Sequence, residues 1–247
     1  MADQLYLSVW FPNFRLIGLP AALAGVLHQF ARVAADGHRE SPLERVAAAT
    51  VYPIDWTESP LFQRIYVNDG RSQASEDSTI DAAVAEATEQ MHEDCAYEFE
   101  MRWLLWQRIA PTAGSDSADE AAAPAASVEV SDEPISAAET SGEAQSPIGW
   151  KLEPVRVRIV GFGPEFDAAT WDQNGHVRID FGPDTAWVQD DLTPDPEATP
   201  RLKANVEKLL AFTLSVEKHC GISSRLLWTE SGEPLAEKLI ARLQRLN

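Results

Sequence analysis

The amino-acid sequence predicts an α+β protein, on three observations. Short segments alternate apolar and polar residues with a period of two. Longer segments repeat apolar residues every three or four positions. Each strand segment is apolar on one side only. A one-sided sheet must bury its apolar side against something, and the helical segments supply that partner.

In chain order, Leu5, Leu7, Val9 and Phe11 lie on one side of a first strand. Pro20 suits the first turn of a helix whose Leu23, Leu27, Phe30 and Ala34 share a face. The β-rich stretch 46–56 contains Pro53, which predicts an edge strand or a broken one. Residues 62–67 form a further short strand. Ser78 and Asp81 have capping-box spacing and open a helix carrying Ile80, Val84, Ala87 and Met91. The clearest strand is 97–105, with Tyr97, Phe99, Met101, Trp103 and Leu105 on one side and Glu98, Glu100 and Arg102 on the other. The resulting order β-α-β-β-α-β is that of a ferredoxin-like unit.

Beyond residue 149, Val155, Val157 and Ile159 alternate with Arg156 and Arg158. The Asn174-Gly175 turn signal leads into Val177, Ile179 and Phe181, alternating with His176, Arg178 and Asp180. A third strand is expected over 185–189. Thr199 as N-cap and Pro200 then start a long helix with Leu202, Val206, Leu209, Leu210 and Thr213 inward, ending near Gly221. A strand over 224–229 follows. Ser231 caps a last helix carrying Leu235, Leu239, Ile240 and Leu243. This half reads β-β-β-α-β-α.

Between the halves, residues 110–149 contain no Lys or Arg and no aromatic residue. They are built from Ala, Ser, Pro, Gly and acids. Such a composition buries too little surface to offset the entropy of ordering, so a disordered acidic linker is expected. The organisation is thus an N-terminal α+β unit over 1–109, the linker over 110–149, and a C-terminal α+β unit over 150–247. The pattern leaves open whether the two units share one core.

The chain carries 39 acidic and 20 basic residues, a net charge of −19. That balance argues against coating nucleic acid, which requires basic residues to displace counterions. It argues equally against an anionic membrane surface. The N-terminal segment lacks the basic and apolar regions of a secretory signal, and no long uninterrupted apolar run is present, so a bacterial-type cytoplasm is expected. Cys95 and Cys220 lie in no metal-binding spacing and are read as reduced structural thiols.

Motifs for chemistry are few. Gly161-Phe162-Gly163 lacks the third glycine of a dinucleotide loop and reads as a turn. Asp190-Asp191 reads as solvated loop acids, and no histidine pair has zinc spacing. Neither a catalytic residue, nor a metal site, nor a cofactor is assigned. The informative constellation is a polar sheet face. If the strands over 97–105, 155–160 and 176–181 are neighbours, their outward positions gather Glu98, Glu100, Arg102, Arg156, Arg158, His176, Arg178 and Asp180. Arginine forks there could hold a planar anion, and the same residues could equally form cross-strand ion pairs. Trp10 and Trp106 fall on the outward sides of their strands, where they could cover a small second cluster or join a protein interface, in which Trp is enriched. The leading expectation is a soluble, non-catalytic protein that binds another protein, as an adaptor, inhibitor or immunity-like factor, with a basic surface on the partner. The alternative is a small-molecule enzyme or sensor that holds an anionic ligand on the arginine-rich face.

Overall fold

The computed structural model describes residues 3–35, 46–66, 80–109, 149–168, 173–188 and 198–231. The linker, Ser78, Asp190-Asp191 and the last expected helix lie outside these residues. Contacts group the chain into two units, Met1–Gln107 with Leu152–Asn247, and Arg108–Lys151. The described residues of the second unit, 108–109 and 149–151, are extended strand ends.

The strands are β1 (Gln4–Trp10), β2 (Ala48–Pro53), β3 (Phe62–Ile65), β4 (Cys95–Ile109), β5 (Gly149–Phe162), β6 (Val177–Pro183) and β7 (Ser224–Thr229). The helices are α1 (Leu19–Ala34), α2 (Ile80–Ala87) and α3 (Ala198–His219). All seven strands form one antiparallel sheet in the order β3-β2-β4-β5-β6-β1-β7, so the class is α+β as the periodicities require. The expected ferredoxin-like arrangement of the first half does not form. β1 leaves β2–β4 and pairs with β6 on one side and β7 on the other, in registers Leu7↔Ile179 and Leu7↔Leu227. Both of its backbone edges are thereby satisfied by strands from beyond residue 149.

One core joins strands from both sides of the linker. Leu5, Leu7 and Val9 of β1, Tyr97 to Leu105 at alternate positions of β4, Val157 and Ile159 of β5, and Val177, Ile179 and Phe181 of β6 pack with Leu23, Val26, Leu27 and Phe30 of α1. Ile80 and Val84 of α2, and Leu209, Phe212 and Val216 of α3, bury into the same cluster. All three described helices therefore lie on one face. Length and composition alone would let Leu16–Ala34 cross a membrane, contrary to the expectation from the sequence, yet its Leu19, Leu23, Val26, Leu27 and Phe30 are fully buried against the sheet. Gly161 lies within β5 opposite Val177, where an added Cβ would fall 2.6 Å from Leu19 Cδ1. The expected turn begins at Gly163, whose carbonyl accepts the Phe166 N–H at 3.2 Å, and an added Cβ there would meet the Glu93 carbonyl oxygen at 2.3 Å, so close backbone approach also requires glycine.

Local differences from the sequence reading have physical causes. β2 is internal, flanked by β3 and β4, and Pro53 marks its end, not an edge. The strand expected over 185–189 is replaced by a 3-10 turn at Asp184–Ala186. It follows Gly182 at φ +79°, and the Asp184 carboxylate accepts the Asp3 N–H at 3.1 Å. On α3 the inward face is rotated. Leu210 is 49% exposed, while Asn205 and Phe212 are buried. Phe212 stacks edge-on against Phe30 at 5.4 Å and Trp103 at 6.4 Å. Asn205 instead serves β4, whose pairing with β2 stops at Glu100. Its Oδ1 accepts the Trp106 N–H at 2.9 Å, and its Nδ2 donates to the Trp106 carbonyl at 2.9 Å and the Ala186 carbonyl at 2.7 Å. Lys208 Nζ donates to the Leu104 carbonyl at 3.3 Å. Side chains of α3 thus satisfy backbone groups of β4 past the end of its pairing with β2.

Candidate functional site

The face of the sheet away from the helices carries the even-numbered residues of β1, β4, β5, β6 and β7, because side chains alternate along each strand. Register fixes their neighbours. Arg158 lies opposite Asp180, Val160 opposite Arg178, Tyr6 opposite Asp180, Ser8 opposite Arg178, and Trp228 opposite Tyr6. Glu98 and Glu100 sit across from Thr50 and Ala48. The strand order β4-β5-β6 brings Glu98, Glu100, Arg102, Arg156, Arg158, Arg178 and Asp180 onto this one face.

Most of these charges neutralise one another. Arg158 Nη2 donates a short hydrogen bond to Asp180 Oδ2, and its Nη1 lies 3.8 Å from Glu98. Asp180 Oδ1 also accepts the Gly182 N–H at 2.9 Å. Glu100 takes Arg156 at 2.6 Å on one oxygen and Arg102 at 3.4 Å on the other. Burial pulls the Arg158 pKa down, but Asp180 and then Glu98 outweigh it and hold the group above its ordinary value. For Glu98, burial dominates and raises its carboxyl above the usual range, against the pull of Arg158 and Arg156.

Arg178 differs from the other three. Its guanidinium carbon lies 5.4 Å from the Tyr6 ring centre, 5.8 Å from Trp56 and 5.1 Å from Phe162. These distances are within cation–π range. No hydrogen bond or ion pair involves it among the described residues, and its Nε is enclosed without a partner. Burial holds this guanidinium below its ordinary pKa. Phe162 and Trp56 belong to a second, smaller hydrophobic cluster on this face, formed by Ala96, Val160, Phe162 and Phe166 with Tyr52 and Trp56 packed against it. Trp56 stands edge-on to Phe166 at 5.1 Å and lies 5.3 Å from Tyr52. On the other flank Trp228 packs on Tyr6 at 4.6 Å and donates Nε1–H to Ser8 Oγ at 2.9 Å.

Two loops present Trp56 and Phe166, and both hold strained backbone. Ile54 has φ +61° and Asp167 and Ala168 have φ +47° and +54°, in the left-handed region that residues with a Cβ avoid. A β-branched residue there costs about 1–3 kcal/mol. The conformation is over-determined by hydrogen bonds. Ile54 N–H donates to the Asp94 carbonyl at 2.6 Å, and Asp167 N–H donates to the Ile54 carbonyl at 2.7 Å. Ile54 itself is 56% exposed, so packing of its side chain does not compensate the strain.

The remaining sequence-nominated residues lie apart from this arrangement. His176 precedes β6 and is buried. Its ring stacks on Phe14 at 4.2 Å, and its Nδ1 accepts the Phe11 N–H at 2.9 Å, which commits it to the loop after β1. Trp106 carries Arg201 over its ring at 5.2 Å, so α3 partly covers it. Trp10 sits at the end of β1 opposite Ser224, and its carbonyl accepts from Ser223. Cys95 and Cys220 are free thiols, each pushed up to about 11 by burial, which leaves little thiolate near neutrality. Among the described residues no group of three His, Cys, Asp or Glu is placed to hold a metal ion.

Sequence reasoning missed Tyr6, Trp56, Phe162 and Trp228. Two of them carried a usable signal. Tyr6 is on the outward side of β1 with Trp10, and Trp228 pairs with it across β7. Trp56 carried none, because loop conformation places it, and Phe162 was hidden by the reading of Gly161-Phe162-Gly163 as a turn, whereas β5 runs through Phe162. The chain matches no protein-family model, no curated protein and no solved structure.

Proposed function

We propose that this chain is a binding protein that recognises a partner protein through the sheet face opposite its helices. The observation that supports the reading most is the make-up of that face. Tyr6 and Trp56 flank Arg178 and Trp228 packs on Tyr6, and Trp, Tyr and Arg are the residue types that dominate binding energy at protein interfaces. All three described helices pack on the other side. Binding is favoured over catalysis because Arg102, Arg156 and Arg158 are already held by carboxylates, and His176 Nδ1 by a backbone amide. These groups brace the sheet. The net charge of −19 would speed encounter with a partner of basic surface.

The test places a photo-crosslinking residue at Leu226 on this face or at Leu214 on the outer side of α3. The two are matched in exposure at 53% and 57%. The expected result is a discrete adduct from Leu226 only, lost with Tyr6→Ala and weakened by salt. Equal adducts from both positions, or none from Leu226, would overturn the reading.

A further inference from the structure

At the centre of the open face Arg102, Arg156, Arg158 and Arg178 lie with Glu98, Glu100 and Asp180, and the pairing among them leaves one arginine over. Glu100 engages Arg102 and Arg156, while Asp180 and Glu98 engage Arg158. Arg178 is the surplus. Aromatic rings surround it on three sides, and among the described residues no carboxylate lies within ion-pair distance of it. Packing holds the side chain still, because Nε is enclosed, while Nη1 and Nη2 are neither bonded nor enclosed among the described residues. A guanidinium so fixed offers two parallel N–H donors in the geometry that a carboxylate accepts. Its flexibility is already lost, so little further ordering is needed on binding.

We propose that Arg178 is the receptor for a carboxylate carried on an apolar group. The guanidinium fork takes the two oxygens, and the apolar body lies against Tyr6 and Trp56. This rests on the reading of the face as a recognition surface and names what its centre binds. Two features select a singly charged carboxylate over a phosphate dianion. One negative charge balances the Arg178 guanidinium, whereas a second would meet Asp180 and Glu98 in a chain of net charge −19. The rings also suit a ligand with an apolar side, and Trp228 extends that surface from Tyr6.

The ligand has two possible sources, the C-terminal residue of a partner protein or a free organic acid. The test titrates the full-length, nitrogen-15-labelled protein with benzoate, with benzamide, and with an acetylated leucyl-phenylalanine dipeptide as acid and as amide. The readouts are the Arg178 Nε–H and Trp56 indole N–H resonances. Saturable shifts are expected with the two acids and not with the two amides. Arg178→Lys should weaken binding about tenfold or more, because the fork is lost while the charge stays. Lys203→Gln should leave binding unchanged. Trp56→Ala, which removes one wall and keeps the arginine, should also weaken it and stands in if Arg178→Lys does not fold. A dipeptide acid that binds well above benzoate identifies a protein C-terminus, and equal binding identifies a free acid. Equal shifts with acids and amides, or no saturable shift with either acid, would overturn the proposal. A crosslink from Leu226 without carboxylate binding removes only this inference. Carboxylate binding without a protein adduct removes only the protein-binding reading.

Discussion

The two faces of the sheet are each centred on one large side chain ringed by aromatics, and in each a buried nitrogen lacks a partner. On the helix side Trp103 is surrounded by Phe30 at 5.1 Å, Phe181 at 5.5 Å and Trp187 at 6.2 Å, with its Nε1 unbonded. On the open side Arg178 is surrounded by Tyr6, Trp56 and Phe162, with its Nε unbonded. The resemblance ends with charge. An orphan N–H on an apolar ring costs its desolvation and offers nothing in return, whereas an orphan on a cation leaves donors for something else. The first is a by-product of close packing. The second marks a place where stability and recognition pull in opposite directions.

Substitutions on the two faces should separate these roles. Trp103→Ala should have the largest effect, a loss of about 3–5 kcal/mol in urea denaturation, since it opens a cavity at the centre of the core. Trp103→Phe should lose far less, because it keeps ring packing and removes the orphan donor. A loss as large as that of the alanine variant would show that the indole is bonded. Asn205→Ala comes next, at about 2–3 kcal/mol, because it strands the Trp106 N–H and the carbonyls of Trp106 and Ala186. Hydrogen exchange at the Trp106 amide should rise in the same variant, and an unchanged rate would break the account of that edge. On the open face Trp56→Ala should cost only about 1–2 kcal/mol, since the ring is partly exposed and its cluster small. If it matched Trp103→Ala, the open face would be a second core in its own right.

The smallest effect concerns Glu98, and its sign is informative. Its folded pKa is raised by burial, so the protonated form is favoured in the fold. Its stabilising contribution is therefore complete below the ordinary glutamate range and is lost as pH rises through the folded value. Glu98→Gln should leave the melting temperature at pH 7 unchanged or slightly higher, and should flatten its decline as pH rises above the ordinary glutamate range. A clear drop at pH 7 would mean that the attraction to Arg158 outweighs burial.

The sequence made one kind of information plain and hid another. Alternation along 97–105, 155–160 and 176–181 identified strands and placed Glu98, Arg158, Arg178 and Asp180 on a common side, because a period of two is a local property of the chain. The position of β1 between β6 and β7 was not legible. It depends on pairing over more than 170 residues, from Leu7 to Ile179, and no local pattern encodes it. The rotation of α3 was hidden for a related reason. A buried Asn205 looks wrong on a helix until the unpaired edge of β4 is known. His176 shares parity with Arg178 yet leaves the cluster, because it lies before the first paired residue of β6 and follows Phe14 instead. The aromatic frame of Arg178 was half visible, through Tyr6, and half set by loops whose strained backbone has no sequence signature at Ile54.

The amide of Asn205 also bears on how copies of this chain could assemble. A sheet lengthens sideways wherever its outermost backbone is vacant, and long vacant margins are where filaments begin. Among the described strands, β3 offers four residues and β7 six, while the far half of β4 would present a longer margin. One carboxamide and one lysine on α3 fill that margin with donors and acceptors. Lateral polymerisation is thereby discouraged at the stretch of backbone most able to support it.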